Sequence, residues 1–251
     1  MSSPWFLRQP AENPRIRLIC FPYTGGGATM YATWNKLVPN DVDVMAIQLP
    51  GRQSRMNEPP IDDPLLVTDL VVEAILPFIK HTPFIIFGYS MGGDTAMLVA
   101  NKLVKEHNLS PLAMVFAATP ALHRYQPPEP LLTTYDENEF PSQVSKYFGL
   151  DEQTSSLLGL TASYVRADIR SMERLDGIFE PSDPPQFTCP FIVFAGKTDH
   201  IIPEETTRAM KDYTSGPFTY RLLNEGHFFN RSKKFLNLLS GELSEICESI
   251  L

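Results

Sequence analysis

Phe84-Ile85-Ile86-Phe87-Gly88-Tyr89-Ser90-Met91-Gly92-Gly93 runs an unbroken apolar segment into a serine flanked by glycines. The apolar positions after it, Ala96, Met97, Val99, Ala100, Leu103 and Val104, recur at helical spacing. The G-x-S-x-G from Gly88 to Gly92 is common by chance, and its bland reading is a glycine-rich turn with an incidental serine. The strand before it and the helix after it are the setting a nucleophile elbow requires. Such a turn strains the serine backbone, and side chains two positions to either side would clash. The serine hydroxyl would then stand at a helix N-terminus, where the helix dipole favours developing negative charge.

Similar apolar runs recur on both sides of this segment. Arg17–Phe21, Val42–Gln48, Ala113–Ala117 and Phe191–Phe194 read as strands covered on both faces, with Phe218–Leu223 a weaker sixth. Met30–Val38, Leu65–Lys80, Met91–Glu106, Glu204–Tyr213 and Ser232–Ile250 have helical spacing. The alternation predicts an α/β fold of the α/β-hydrolase type, with a mostly parallel sheet and helices on both faces. One gap breaks the rhythm. About 70 residues separate Ala117 from Phe191, where a crossover needs only about a dozen. Proline-rich stretches at Gln126–Pro130 and Pro181–Pro185 frame it, and Glu137–Phe148, Gln153–Leu160 and Ser163–Leu175 read as helices between them. The expectation is a single domain over residues 1–251 with a helical lid inserted at about 120–186, since long insertions of this kind are usually functional; surface decoration is the alternative.

A serine needs a base. Of five histidines, His81, His107 and His123 precede the strand at Phe191, and His200 leaves no room for an acid before it. His227 follows the last predicted strand, in Asn224-Glu225-Gly226-His227-Phe228-Phe229, matching the chain order serine, acid, histidine. The acid should lie in a loop after a strand, and Gly196-Lys197-Thr198-Asp199-His200 is that loop. Asp199 would fix the imidazole tautomer and stabilise the imidazolium. Its competitors, Asp168, Asp176 and Asp183, belong to the lid region, and Asp212 to a helix. A loop aspartate is also a common turn former. For the oxyanion hole, one donor would be the Met91 N–H, after the nucleophile. The other would come from Phe21-Pro22-Tyr23-Thr24-Gly25-Gly26-Gly27, with Thr24 preferred to Tyr23. This loop lacks the G-K-[ST] or G-x-G-x-x-G of a phosphate cradle.

Bulk properties narrow the partners. The chain has 251 residues, 43% hydrophobic and 20% charged, with a formal charge of −8. That charge repels a polyanion, so nucleic acid is not an expected ligand. Three cysteines, Cys20, Cys189 and Cys247, show no metal spacing, and a reducing cytoplasm fits them. Met1–Trp5 lacks a signal-peptide pattern, and the longest apolar candidate, Leu65–Ile79, is interrupted by Asp69, Glu73 and Pro77, so no membrane span is expected.

The sequence resembles the type II thioesterases that accompany polyketide synthases and non-ribosomal peptide synthetases, and the related medium-chain fatty acyl thioesterases. The resemblance covers almost the whole chain. It rests on Leu18–Gly26, Leu49-Pro50-Gly51-Arg52-Gln53-Ser54-Arg55, Phe87–Gly92, Arg166-Ala167-Asp168 and Gly226–Phe229. It implies hydrolysis of acyl thioesters on the phosphopantetheine arm of an acyl or peptidyl carrier protein, with no cofactor bound by the chain itself, and the triad already reasoned out. Two positions depart from the family pattern: Tyr89 stands where histidine is usual and Thr24 where alanine is usual. Both are expected to act through the backbone. Phe140, Phe148, Leu157, Leu158 and Tyr164 would line an acyl chamber or simply pack the lid. Arg52 and Arg55 read as solvated loop cations, with docking of an acidic carrier as the alternative. A carboxylesterase or lipase, and a non-catalytic binding protein on the same scaffold, are the rival functions.

Overall fold

A computed structural model describes residues 3–11, 13–180 and 182–249. Pro181 of the second proline stretch, Ile250 at the expected end of the last helix, and Met1 and Ser2 of the leader reading lie outside the described residues. In chain order the elements are β1 (Phe6–Gln9), β2 (Ile16–Phe21), β3 (Val42–Ile47), α1 (Pro64–Ile79), β4 (Phe84–Tyr89), α2 (Met91–His107), β5 (Ala113–Ala117), α3 (Phe140–Phe148), α4 (Glu152–Glu173), β6 (Phe191–Gly196), α5 (Glu204–Arg208), β7 (Phe218–Leu223) and α6 (Lys233–Glu248).

The strands form one sheet in the order β1-β3-β2-β4-β5-β6-β7. Every pair is parallel except β1 with β3. Strand side chains alternate between faces. Ile86 of β4 therefore joins the apolar cluster containing Val71 and Ile75 of α1 and Met97 of α2. Its neighbours Ile85 and Phe87 join the opposite cluster, with Phe235, Leu239 and Leu243 of α6. Both faces are thus covered, which is why the central strands carry nearly continuous apolar runs. Asp63 starts α1 by accepting from the Leu65 and Leu66 N–H groups. No helix among the described residues is long and apolar enough to cross a membrane. All three cysteines are buried and unpaired.

The structure departs from the sequence expectations in four places. β1 is a short antiparallel strand at the edge of the sheet that the sequence pattern does not announce. Met30–Val38 is not a helix: two short 3-10 turns, Ala28–Tyr31 and Trp34–Lys36, occupy it. Between them Thr33 takes φ −112°, ψ 8° and interrupts helical geometry. Glu204–Tyr213 divides into α5 and a 3-10 turn, Ala209–Tyr213. The two expected lid helices, Gln153–Leu160 and Ser163–Leu175, are one helix, α4. Leu158, Val165 and Ile169 lie along one side of it and pack with Phe140, Val144 and Phe148 of α3 into a cluster separate from the two that flank the sheet. That shared stripe outweighs the helix cost of Gly159, about 1 kcal/mol.

Candidate active site

Parallel strands leave loops at their carboxyl ends, and ligands of open α/β sheets bind there. Ser90 follows β4, the Tyr23–Gly26 loop follows β2, Asp199 follows β6 and His227 follows β7, so all four candidate segments emerge on one edge. Ser90 has φ 51°, ψ −127°, a conformation that is strained for any residue with a side chain. The bend fits only because glycines surround it. A Cβ on Gly92 would lie 2.2 Å from the Phe21 carbonyl oxygen, and one on Gly88 would lie 2.4 Å from Gly93 Cα.

Ser90 Oγ lies 3.1 Å from His227 Nε2, and His227 Nδ1 lies 2.8 Å from Asp199 Oδ2. The His227 and Asp199 side chains are almost fully buried. The second carboxylate oxygen of Asp199 accepts from the Ile201 and Ile202 N–H groups at 2.9 and 3.0 Å, so the acid is held from both ends. Its loop is tied to the histidine loop, because Thr198 N–H donates to the Glu225 carbonyl. The other histidines and acids lie elsewhere. His123 pairs with Asp212 at 3.2 Å, and the His200 ring meets the Tyr147 carbonyl. An imidazole between a hydroxyl and a carboxylate at these distances can carry a proton from the first while the second stabilises its charge.

Tyr89 departs from the expectation that its position acts through the backbone. Its hydroxyl donates to the His227 carbonyl at 2.5 Å and accepts from the Phe229 N–H at 2.9 Å. Burial raises this phenol far above its ordinary range, so it remains a neutral donor. Tyr89, the residue before Ser90, therefore clamps the loop that carries His227. Only the spacing to a distant loop reveals this, and the sequence holds no sign of it.

The Met91 and Thr24 N–H groups have no acceptor among the described residues. Gly25 N–H, next to Thr24, instead donates to Asp168 Oδ2 at 2.8 Å. Asp168 also receives both terminal nitrogens of Arg52, at 2.5 and 2.7 Å. Arg52 in turn donates to the Gly26 and Pro50 carbonyls. Neither solvation nor docking describes Arg52, which is 3% exposed. Arg55 is likewise buried, stacked 4.1 Å over the Trp5 ring and paired with Glu58. Arg52 braces the loop after β2 from the loop after β3, and Asp168 does so from the lid.

Two cavities reach Ser90. One of about 590 Å³ opens to the surface past Tyr23, Leu157, Leu158, Tyr164 and His227. The other, about 30 Å³, runs back past Asp94 between Tyr125, Tyr147 and Ile202. Phe148 lines both. Of the expected chamber residues, Phe140 does not reach either one: it is fully buried in the lid cluster beneath the Arg166 guanidinium. Among the described residues no cluster of histidine, cysteine and acidic side chains is placed to hold a metal.

Comparison with known proteins bears on this site. Residues 16–247 match the sequence model of the family described as thioesterase domain. The chain is 29% identical over 252 residues to the thioesterase PikA5 of Streptomyces venezuelae, covering 98% of this chain and 84% of that protein. It is 30% identical over 231 residues to the medium-chain S-acyl fatty acid synthase thioesterase of Homo sapiens, covering 87% and 83%. Among solved structures, the type II thioesterase BorB from the borrelidin biosynthetic cluster superposes with a TM-score of 0.83 at 26% identity, covering 97% of this chain and 99% of that one.

Proposed function

Because this chain belongs to the thioesterase family of serine hydrolases, we propose that it hydrolyses acyl thioesters on the phosphopantetheine arm of a synthase carrier protein, using Ser90, His227 and Asp199. The single observation that carries the reading is the hydrogen-bonded line from Ser90 Oγ through His227 to Asp199. Ser90 Oγ attacks the thioester carbonyl as His227 Nε2 takes its proton. Oxygen then bears negative charge, and the free Met91 and Thr24 N–H groups are the donors for it. The C–S bond breaks, His227 returns the proton to the leaving sulfur, and the pantetheine thiol departs. Water attacks the acyl-Ser90 ester with His227 again as base, which releases the acid and restores the serine hydroxyl.

The larger cavity suits the arm, since it is open at the surface and ends at the nucleophile. The partner is an acyl or peptidyl carrier protein of a polyketide, non-ribosomal peptide or fatty acid system. The fatty acid synthase enzyme is named for such a system, and this supports the reading. The reaction serves editing or product release there.

The test compares matched acyl-pantetheine thioesters and oxygen esters, free and on carrier protein. A thioester preference that strengthens on carrier protein is the expected result. A large preference for oxygen esters would make the protein a carboxylesterase on the same scaffold.

A further inference from the structure

The smaller cavity has a composition that the general reaction does not explain. It begins at Ser90 and passes Asp94, in the first turn of α2. Its remaining polar lining comes from Tyr125, Tyr147 and Glu173, and its apolar walls include Ile169 and Ile202. Among the described residues no lysine, arginine or histidine lines it. Glu173 is already engaged by the N–H and hydroxyl of Thr133. Asp94 is not: the residue is 3% exposed and its Oδ1 is enclosed without a hydrogen-bond partner. A buried polar atom left unpaired is costly, and native folds leave few of them. A volume of about 30 Å³ holds roughly two water-sized groups. That is room for a very short acyl chain.

Resting on the thioesterase reading above, we infer that this cavity receives the acyl part of the substrate and that Asp94 selects a short aminoacyl group by pairing with its ammonium. A phenol-lined recess that holds Asp94 and no cation offers an ammonium an acceptor and offers a carboxylate such as a malonyl end no counter-charge. Burial pushes the Asp94 carboxyl well above the ordinary carboxylate range. Against a protonated Asp94, a neutral amine entering the recess takes the proton. An amine arriving as ammonium displaces that proton to solvent. Either way a carboxylate–ammonium pair results.

Hydrolysis of alanyl- and β-alanyl-pantetheine should be compared with propionyl-, lactyl- and malonyl-pantetheine for the wild type, Asp94→Asn and Asp94→Leu. The readout is the ratio of kcat/KM for aminoacyl over propionyl in each protein, so intrinsic reactivity cancels between them. Melting temperature verifies that each variant is folded. The expected wild-type ratio for the better aminoacyl substrate is at least tenfold above that of both variants, with malonyl the poorest substrate. A ratio unchanged in Asp94→Asn overturns the charge pairing, as does a lactyl preference that survives it. Loss of the inference leaves the thioesterase reading intact if propionyl is hydrolysed. A wild type that hydrolyses no thioester defeats both.

Discussion

Arg52 and Asp168 form a buried two-pronged ion pair, Nη1–Oδ2 2.5 Å and Nη2–Oδ1 2.7 Å, that joins the loop after β3 to the lid helix α4. The same carboxylate holds Gly25 N–H and the same guanidinium holds the Gly26 carbonyl. The pair therefore sets the backbone that presents the Thr24 N–H. Asp168→Asn would leave Arg52 charged and uncompensated, at a cost of about 3–5 kcal/mol. Chemical denaturation should show that loss, and kcat should fall further than KM rises, because the oxyanion donor is displaced. Arg52→Lys keeps the charge but not the planar fork and should behave similarly. Wild-type stability and kcat in Asp168→Asn would refute the coupling.

Tyr89→Phe removes the hydroxyl that bridges the His227 carbonyl and the Phe229 N–H. Each group left buried and unpaired costs about 1–3 kcal/mol. Part of that cost falls on the orientation of the base, so kcat should drop by about tenfold, equivalent to about 1.4 kcal/mol. Steady-state kinetics together with a melting curve check this. An unchanged kcat in a less stable protein would reduce Tyr89 to a packing residue.

Stability should depend on pH through Asp94. Its folded carboxyl titrates above the unfolded value because it is buried. As pH rises past about 4, the unfolded chain loses this proton first. The native state is then disfavoured by up to about 1.4 kcal/mol per pH unit until the folded group titrates. Asp94→Asn lacks this loss. Its advantage over wild type should be smallest below pH 4 and should grow toward neutrality, as read from denaturation midpoints across pH. A gain that is flat or shrinks with pH would contradict the burial argument.

Phe148 lines both the small recess and the wide cavity. Phe148→Ala should merge them and shift the chain-length profile toward longer acyl groups, at a stability cost of about 3–5 kcal/mol. An unchanged profile in folded protein would place the acyl chain elsewhere.

The elbow and most strands were legible because each rests on a local signal. Ser90 sits between an apolar run and a helical period, and Asp199 and His227 each follow a strand. β1 has only four residues and one buried side chain, too little pattern to read. Arg52 with Asp168, and Tyr89 with His227, are contacts between residues far apart in sequence. A charged or phenolic side chain carries no local mark of the partner that will neutralise or bond it, so Arg52 reads as solvated until the fold buries it. The break expected at residues 161–162 does not occur: α4 runs through it, carried by lid packing that only the tertiary structure supplies.

The central claim is that Ser90 carries the acyl group between thioester and acid. Rapid-quench mass spectrometry of the enzyme mixed with a slowly hydrolysed acyl-pantetheine tests it directly. The acyl mass should appear on the peptide containing Ser90 and decay with turnover, while Ser90→Ala should show no adduct and lose about 10⁶-fold in kcat. Hydrolysis at wild-type rate by Ser90→Ala, or an adduct on another residue, would contradict the account.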